Sequence, residues 1–236
     1  DRARLDEVFK TYQPVAVMHF GALSDVGQSV REPSLYWHNN AVGSLTLIEA
    51  MVAAGCLNMV FSSTCATYGE QDNVVLDEDT SQQPINSYGA SKLAIEHMLA
   101  DFGQSAGLRS VIFRYFNVAG ADADAEIGEF HRPETHLIPL VVMAILGQRD
   151  ALTVFGTDYD TPDGTCIRDY VHVADLIDAH LKGLDWLKAG KGSRVFNLGT
   201  GQGFSVREVM QAAKQATGHE VPHKLGDRRA GDCTKL

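Results

Sequence analysis

The chain has 236 residues, of which 44% are hydrophobic and 21% are charged. This apolar content is enough for a sizeable core, so general disorder is excluded. With 30 acidic against 20 basic residues the formal net charge is −10, which argues against a nucleic acid or an anionic membrane as a partner recognised through overall charge.

Short apolar runs alternate with helical patterns along the first half of the chain, in the order strand, helix, strand, helix, strand. Such an alternation predicts the α/β class, with a parallel sheet joined by crossover helices. Gly55 and Gly103 are predicted to end the two helices. The predicted strands cover 15–20, 58–63 and 110–115, and the predicted helices cover 39–54 and 87–102.

The pattern changes after Asn117. Residues 119–136 are predicted to form a loop with a solvated acidic run, and shorter elements follow. We therefore predict two domains, 1–117 and 118–236, with elements at about 165–198 returning to the first sheet. The later predicted helices cover 137–146, 173–187 and 205–216, and the later predicted strands cover 152–155 and 194–198.

The four cysteines, at positions 56, 65, 166 and 233, are widely spaced and include no C-x-x-C pair. This usage predicts a reducing compartment, and hence a cytoplasmic protein. No apolar run has the length that a membrane-spanning helix needs. Metal binding by His136 or His172 is not predicted, because no second histidine or carboxylate stands at ligand spacing on a recognisable element.

Tyr88 and Lys92 are four residues apart in a predicted helix, which places them on one face. An ammonium group beside a phenol lowers the pKa of the phenol, and such a tyrosine can take a proton from an alcohol near neutral pH. From the spacing alone, an exposed helical pair is the favoured interpretation. The context adds Thr64, whose hydroxyl follows a predicted strand at the edge where α/β sheets bind ligands, although a turn cap also explains it.

A hydroxyl residue at a strand end followed by Y-x-x-x-K resembles the short-chain dehydrogenase/reductase superfamily. The chain is most similar to the extended branch of this superfamily that acts on nucleotide sugars, and within it to the UDP-hexose 4-epimerases. The similar segments follow one another along nearly the whole chain: 19–23, 26–30, 39–45, 61–69, 87–92, 114–117, 134–139, 155–159, 163–173 and 197–199.

The resemblance implies a Rossmann-like, doubly wound parallel sheet with a smaller α/β substrate domain. It implies an isomerase that keeps NAD bound and inverts C4 of a UDP-hexose, UDP-glucose or UDP-galactose, through a transient 4-keto sugar. It also implies a homodimer formed by the helices at 39–54 and 87–102. The opening strand and Gly-rich turn of a Rossmann domain have no counterpart here, so we expect the chain to be a piece of a longer enzyme that would not bind NAD tightly by itself.

The roles of the residues follow from the same resemblance. Tyr88 would be the general base toward the sugar 4-hydroxyl, Lys92 would lower the pKa of Tyr88 and hold the nicotinamide ribose, and Thr64 would share the proton. The cofactor residues implied are Phe20, Gly21, Ala22, Leu23, Ser24, Asn39, Ser62, Tyr88, Lys92 and Phe116. The substrate residues implied are Thr64, Asn117, His136, Leu137, Thr153, Val154, Phe155, Arg168, Arg229 and Asp232.

Two alternatives stay open. A related nucleotide-sugar epimerase or dehydratase is one, but dehydratases would carry an Asp-Glu pair where Cys65 and Ala66 follow Thr64. A catalytically silent regulatory relative is the other. A separate motif, with glycines at 199, 201 and 203, is similar to a dinucleotide-binding loop, but Phe204 occupies the position of its last glycine. We therefore predict a tight turn here, followed by an S-x-x-E capping box that begins at Ser205.

Overall fold

The computed structural model describes residues 1–71, 75–229 and 231–236. It confirms the predicted α/β class with a parallel sheet. The chain divides into two compact units: unit 1 comprises Asp1–Tyr115 and Asp175–Leu198, and unit 2 comprises Phe116–Ala174 and Gly199–Leu236. Among the described residues no helix is long and apolar enough to cross a membrane.

The helices and strands are numbered in chain order. The helices are α1 Arg2–Tyr12, α2 Val26–Arg31, α3 Pro33–Tyr36, α4 Gly43–Ala53, α5 Ser87–Ala106, α6 Leu137–Ile145, α7 Val173–Lys188 and α8 Val206–Thr217; a π-helical turn covers Trp37–Val42 and a 3₁₀ turn covers Cys65–Thr67. The strands are β1 Val17–His19, β2 Asn58–Ser62, β3 Arg109–Tyr115, β4 Asn117–Ala119, β5 Leu152–Phe155, β6 Ile167–His172, β7 Arg194–Leu198, β8 Gly203–Ser205 and β9 His223–Gly226.

The sheet of unit 1 has the strand order β1-β2-β3-β7, and each neighbouring pair is parallel. Alternate residues of β2 supply the two faces. Met59 and Phe61 belong to a core cluster with residues of α1, α4 and α5, whereas Val60 packs in a second cluster with Leu187 of α7. Helices on both faces explain why the middle residues of the central strands, 59–61 in β2 and 111–113 in β3, are all apolar.

The second predicted helix is longer than expected. Gly103 does not end α5, which continues to Ala106 and closes at Gly107, where φ is 72° and the N–H bonds to the Gly103 carbonyl. An L residue rarely adopts this left-handed conformation, so glycine is suited to the cap. The predicted helix at 39–54 is not α-helical over its whole length. Its first part belongs to the π-helical turn, and only Gly43–Ala53 is α-helical.

Unit 2 contains the sheet β4-β6-β8 and the parallel pair β5-β9. Because β6 pairs with β4 and β8, the chain returns to unit 1 only at Asp175, later than the predicted position near 165. The glycine-rich segment 199–203 is held as a turn by Asp169, which accepts hydrogen bonds from the backbone of Thr200 and Gly201. The capping box predicted at Ser205 is present.

Candidate active site

Thr64 and Tyr88 meet in unit 1. Thr64 stands just after β2 and opens the 3₁₀ turn, and Tyr88 lies in the first turn of α5, whose N-cap Asn86 accepts a hydrogen bond from the Gly89 N–H at 2.8 Å. The Thr64 side chain is close enough to the Tyr88 phenol to lower the pKa of that phenol. Thr64 Oγ1 also accepts from the Ala66 N–H at 3.1 Å, so it caps the turn and contacts Tyr88 at once.

A glycine brings these two elements together. A Cβ placed on Gly89 would lie 2.4 Å from the Ala66 carbonyl oxygen, which is closer than any real side chain tolerates. The absence of a side chain lets α5 pack directly on the 3₁₀ turn that carries Thr64. Gly89 therefore sets the distance between the turn and the helix.

The expected lowering of the Tyr88 pKa is wrong for the protein without a bound cofactor. Burial raises the pKa of Tyr88 and the nearby Tyr115 raises it further, while the Thr64 side chain lowers it by less. The ammonium of Lys92 does not offset this, because it is directed at the carbonyl of Ser62, with Nζ to O 2.7 Å. Tyr88 is thus a neutral phenol at neutral pH.

Lys92 is 3% exposed and stands over the ring of Phe61, 4.9 Å from its centroid. Burial lowers the pKa of Lys92 to about 8, against a smaller raising effect of Glu96. Its bond to Ser62 uses one of the three ammonium donors. The two remaining donors suit a pair of adjacent hydroxyl groups, so the donor set fits the ribose of a nicotinamide nucleotide.

Residues 20–24, the predicted cofactor loop, follow β1. This loop is held by Asn40, which was not among the predicted site residues. Asn40 is fully buried; its Oδ1 accepts from the Leu23 N–H at 2.9 Å and its Nδ2 donates to the Leu23 carbonyl at 3.0 Å. Asn40 Nδ2 also reaches Ser91 Oγ of α5 at 3.1 Å. Asn39, the predicted residue, is exposed and bonds to Asn40. Two adjacent asparagines in a helical pattern gave no sign of which one faces inward.

Ser62 is fully buried and its hydroxyl contacts His180 of α7. The His180 Nε2 lies 3.0 Å from Ser62 Oγ, and its Nδ1 lies 2.8 Å from the Leu176 carbonyl. Burial lowers the pKa of His180, so the neutral ring donates from Nδ1 to the carbonyl and accepts from Ser62 at Nε2. The exposed ring of Phe20 packs on the same imidazole, with centroids 4.8 Å apart.

A buried ion pair fixes the turn that carries Thr64. Arg114 of β3 is 5% exposed and contacts the Glu96 carboxylate at 2.7 Å. Glu96 accepts a short hydrogen bond from Ser63 Oγ, and Arg114 donates to Tyr68 Oη at 2.9 Å. Both sides of the 3₁₀ turn are thereby tied to α5 and β3. The sequence signal was an arginine inside an apolar strand.

In unit 2 the structure brings three predicted substrate residues together. Arg229 donates to the Asp232 carboxylate at 2.8 Å, and its guanidinium lies 5.1 Å from the ring centroid of Phe155. The pairing of β5 with β9 places Phe155 opposite Gly226, close in sequence to Arg229. Arg168 lies on β6 opposite Phe204.

Other predicted substrate residues of unit 2 differ in what they can offer. Asn117 is half-buried on β4, where it stands opposite Tyr170 of β6. Val154 is 2% exposed and belongs to the apolar core of the unit, so its side chain is not available to a ligand. The neighbouring Thr153 is half-buried on the same strand, and Leu137 packs partly against that core. Phe116, predicted as a cofactor residue, belongs to unit 2 and not to the unit of the cofactor loop.

His136 lies at the N-terminus of α6 among three other potential metal ligands: Glu129, His131 and Glu134. Metal binding by His136 was not predicted because ligand spacing was sought on helices and strands, whereas these residues lie in a loop. The loop conformation between 129 and 136, which the spacing did not reveal, brings the four groups together.

The parallel sheet with helices on both faces, and a Thr-Tyr-Lys set at the end of its second strand, define an oxidoreductase-like Rossmann enzyme of the extended short-chain type. The chain matches the NAD dependent epimerase/dehydratase family over residues 1–199 and belongs to that family.

Among individual proteins the similarity is to UDP-glucose 4-epimerases. The enzyme of Rhizobium meliloti (strain 1021) is 52% identical over 236 residues, which are 100% of this chain and 72% of the relative. The crystal structure of UDP-glucose 4-epimerase from Brucella ovis in complex with NAD is 50% identical with a TM-score of 0.95, over 100% of this chain and 73% of that one. The Bifidobacterium longum enzyme in complex with NAD⁺ and UDP is 37% identical with a TM-score of 0.94, over 100% and 71%.

Proposed function

We propose that this chain performs NAD-dependent epimerisation at C4 of a UDP-hexose and interconverts UDP-glucose and UDP-galactose. The observation that carries the proposal is the Thr64–Tyr88 hydroxyl pair beside the buried Lys92, in a chain 52% identical to a UDP-glucose 4-epimerase. The chain is accordingly an isomerase that uses NAD as its cofactor.

The catalytic residues move a proton at the sugar 4-hydroxyl. Thr64 and Tyr88 form a continuous path for that proton, with Tyr88 as the group that takes it up and later gives it back. Bound beside these residues, NAD would supply the hydride-transfer chemistry at C4 and a positive charge that favours the phenolate. Lys92 binds the ribose hydroxyls through its two remaining donors and keeps a cationic group near the site.

The nucleotide end of the substrate is assigned to unit 2. Arg168 and Arg229 provide the planar, charge-assisted donors that a diphosphate requires in an otherwise acidic protein. Asp232 holds Arg229 in place through the 2.8 Å contact, and the exposed ring of Phe155 offers an apolar face beside it. Tight binding of the nucleotide with weak binding of the sugar leaves the hexose able to present either face.

Dehydration of the sugar is disfavoured by the residues after Thr64. A dehydratase needs an acid and a base there for the loss of water, whereas Cys65 and Ala66 are both buried in the 3₁₀ turn. Neither is a carboxyl group. The 4-keto sugar would have no group at these positions to carry it on to a dehydrated product.

The experiment is a turnover assay on the purified full-length protein with UDP-galactose, UDP-glucose and their N-acetylated and pentose analogues. We expect interconversion of UDP-glucose and UDP-galactose, and release of NAD when the protein is denatured. Tyr88→Phe keeps the ring but not the proton carrier, and should lower kcat by about 10²–10⁴. NAD release without turnover of any sugar would instead identify a silent relative.

We also propose a cytoplasmic homodimer. The helices at 39–54 and 87–102 are expected to pair with those of a second copy. Part of their apolar surface is not available for this, because Ile48, Met51, Ile95 and Leu99 are buried in the core of the chain itself. Val42 is 51% exposed and remains available to a second copy. Light scattering on the full-length protein should give twice the chain mass, and Val42→Asp should shift it toward the monomer.

A further inference from the structure

The loop before α6 carries a group of side chains with more hydrogen-bond acceptors than protons to share. Nδ1 of His136 lies 2.7 Å from a Glu129 carboxylate oxygen, 2.9 Å from a Glu134 oxygen and 3.3 Å from Nδ1 of His131. A ring nitrogen carries at most one proton. When it is protonated it can donate to one of the two carboxylate oxygens, and when it accepts a proton from His131 it can donate to neither.

A cation at the centre would satisfy all four groups. The ligand atoms of Glu129, His131, Glu134 and His136 all lie within 4.8 Å of one another. Bonds of about 2.0–2.1 Å in a tetrahedron put ligand atoms about 3.3 Å apart, and the observed separations of 2.7, 2.9, 3.3 and 3.9 Å surround that value. The four atoms thus need only small shifts to enclose one ion.

From this arrangement we propose that Glu129, His131, Glu134 and His136 form a zinc site. Two imidazole nitrogens with two carboxylate oxygens match Zn²⁺, whereas Mg²⁺ and Ca²⁺ take sets composed of oxygens. The backbone N–H groups of Thr135 and His136 both bond to Glu134 Oε1, at 2.7 and 2.8 Å, and this orients that carboxylate toward the two rings. Glu134 is the least exposed of the four, at 10% for its side chain.

The site has a consequence that rests on the proposed function. His136 is among the residues assigned to the UDP-sugar, and an imidazole nitrogen bound to Zn²⁺ is not available to a substrate. The metal and the UDP-sugar would compete for one side chain. Zinc would then act as a reversible inhibitor that also fixes the loop against the start of α6.

The test titrates Zn²⁺ into chelator-treated full-length protein by calorimetry, with His131→Gln as the site variant and His219→Gln as the matched control. His219 is also an exposed histidine, and it contacts Thr217 through its backbone N–H and its Nδ1. We expect one zinc per chain for the unaltered protein and for the control, and at least about a tenfold weaker binding for His131→Gln, as for loss of a metal-supporting group. Co²⁺ in place of Zn²⁺ should give the intense visible bands of a tetrahedral site only where His131 is intact.

Equal zinc affinity in His131→Gln and the unaltered protein overturns the proposal, as does an equal loss in His219→Gln or the absence of binding. Circular dichroism of the variants checks that they are folded. A parallel assay of UDP-galactose turnover should find inhibition by zinc that is weaker in His131→Gln. If no turnover occurs at all, the proposed function fails while the calorimetry still decides the zinc site.

Discussion

At the scale of single residues, the hydroxyl of Thr64 has two uses that substitutions can separate from its bulk. It lowers the pKa of the nearby Tyr88 and it accepts a hydrogen bond from the Ala66 N–H. Thr64→Ser keeps both contacts, and we expect a kcat within a fewfold of the original. Thr64→Val keeps the volume and removes the hydroxyl, which should lower kcat by about tenfold or more. Steady-state kinetics on both variants decide the matter: equal activity would make Thr64 a packing residue.

The proposed reaction requires the charged form of Lys92, but burial in the folded protein disfavours that form. Burial lowers its pKa from 10.5 to about 8, so the folded state loses this proton before the unfolded state does. Below about pH 8 both states hold the proton and the full cost of the buried ammonium is present. Between about 8 and 10.5 the unfolded state binds more protons, so this group makes stability rise with pH.

Lys92→Met should therefore stabilise the protein while it abolishes turnover. At pH 7, in the absence of NAD, we expect the free energy of unfolding to increase by about 1–3 kcal/mol, since each unit of pKa shift is worth about 1.4 kcal/mol and the bond to Ser62 is lost. The gain should fade above about pH 10. Denaturant unfolding across this pH range measures it, with the exposed Lys224→Met as control; a loss of stability at pH 7 would contradict the argument.

At the scale of elements, the packing of α5 on the 3₁₀ turn depends on Gly89. Alanine is the better helix former by about 1 kcal/mol, yet its Cβ would meet the Ala66 carbonyl carbon at 2.9 Å and the oxygen at 2.4 Å. These are backbone atoms that cannot rotate away. We expect Gly89→Ala to destabilise the protein by about 1–3 kcal/mol and to lower kcat, because the helix moves Tyr88 away from Thr64.

Gly43→Ala is the matched control for that change. Gly43 also lies in a helix, but the nearest atom to a Cβ there is 3.8 Å away, which is ordinary contact. We expect an unchanged or slightly higher melting temperature for this variant. If thermal unfolding finds the two variants alike, the close approach of α5 does not govern the site.

The elements that the sequence predicted are those whose pattern is dominated by burial. Strands β2, β3 and β7 are apolar runs between glycines or polar loops, and each was found within one residue of its predicted start. In unit 2, β5 was predicted but β4, β6, β8 and β9 were not. Of these, β4 and β8 have only three residues each and are partly exposed. Three residues are too few for a period of two to be recognised.

The catalytic residues of the candidate site could be predicted from the sequence, but the residues that hold them in position could not. Thr64, Tyr88 and Lys92 carry a recognisable spacing, whereas Asn40 and the Glu96–Arg114 pair acquire a role only through contacts between distant segments. The sequence alone does not show whether a polar side chain faces the interior or the solvent. The raised pKa of Tyr88 could not be predicted either, since it depends on burial and on where the Lys92 ammonium points.

At the scale of the whole molecule, unit 1 is built from two stretches of chain. Residues 1–115 supply β1, β2 and β3, and residues 175–198 return to add α7 and β7. The second stretch covers one face of the sheet: Leu187 is fully buried against Val111 and Phe113, and β7 pairs with five residues of β3. Without it, a face of the central strands and an edge of β3 would be exposed to water.

This arrangement predicts that residues 1–115 alone do not form a stable unit, whereas the same residues joined to 175–198 by a flexible Gly/Ser linker regain it. The linked form restores both the apolar cover and the strand pairing, so it should unfold cooperatively in denaturant and bind little of a hydrophobic dye. Residues 1–115 alone should bind the dye strongly and unfold without a clear transition. A linked form in which the order of residues 175–198 is scrambled has the same length and composition and should behave like 1–115. Cooperative unfolding of 1–115 at the midpoint of the linked form would show that the returning segment is dispensable for the stability of the sheet.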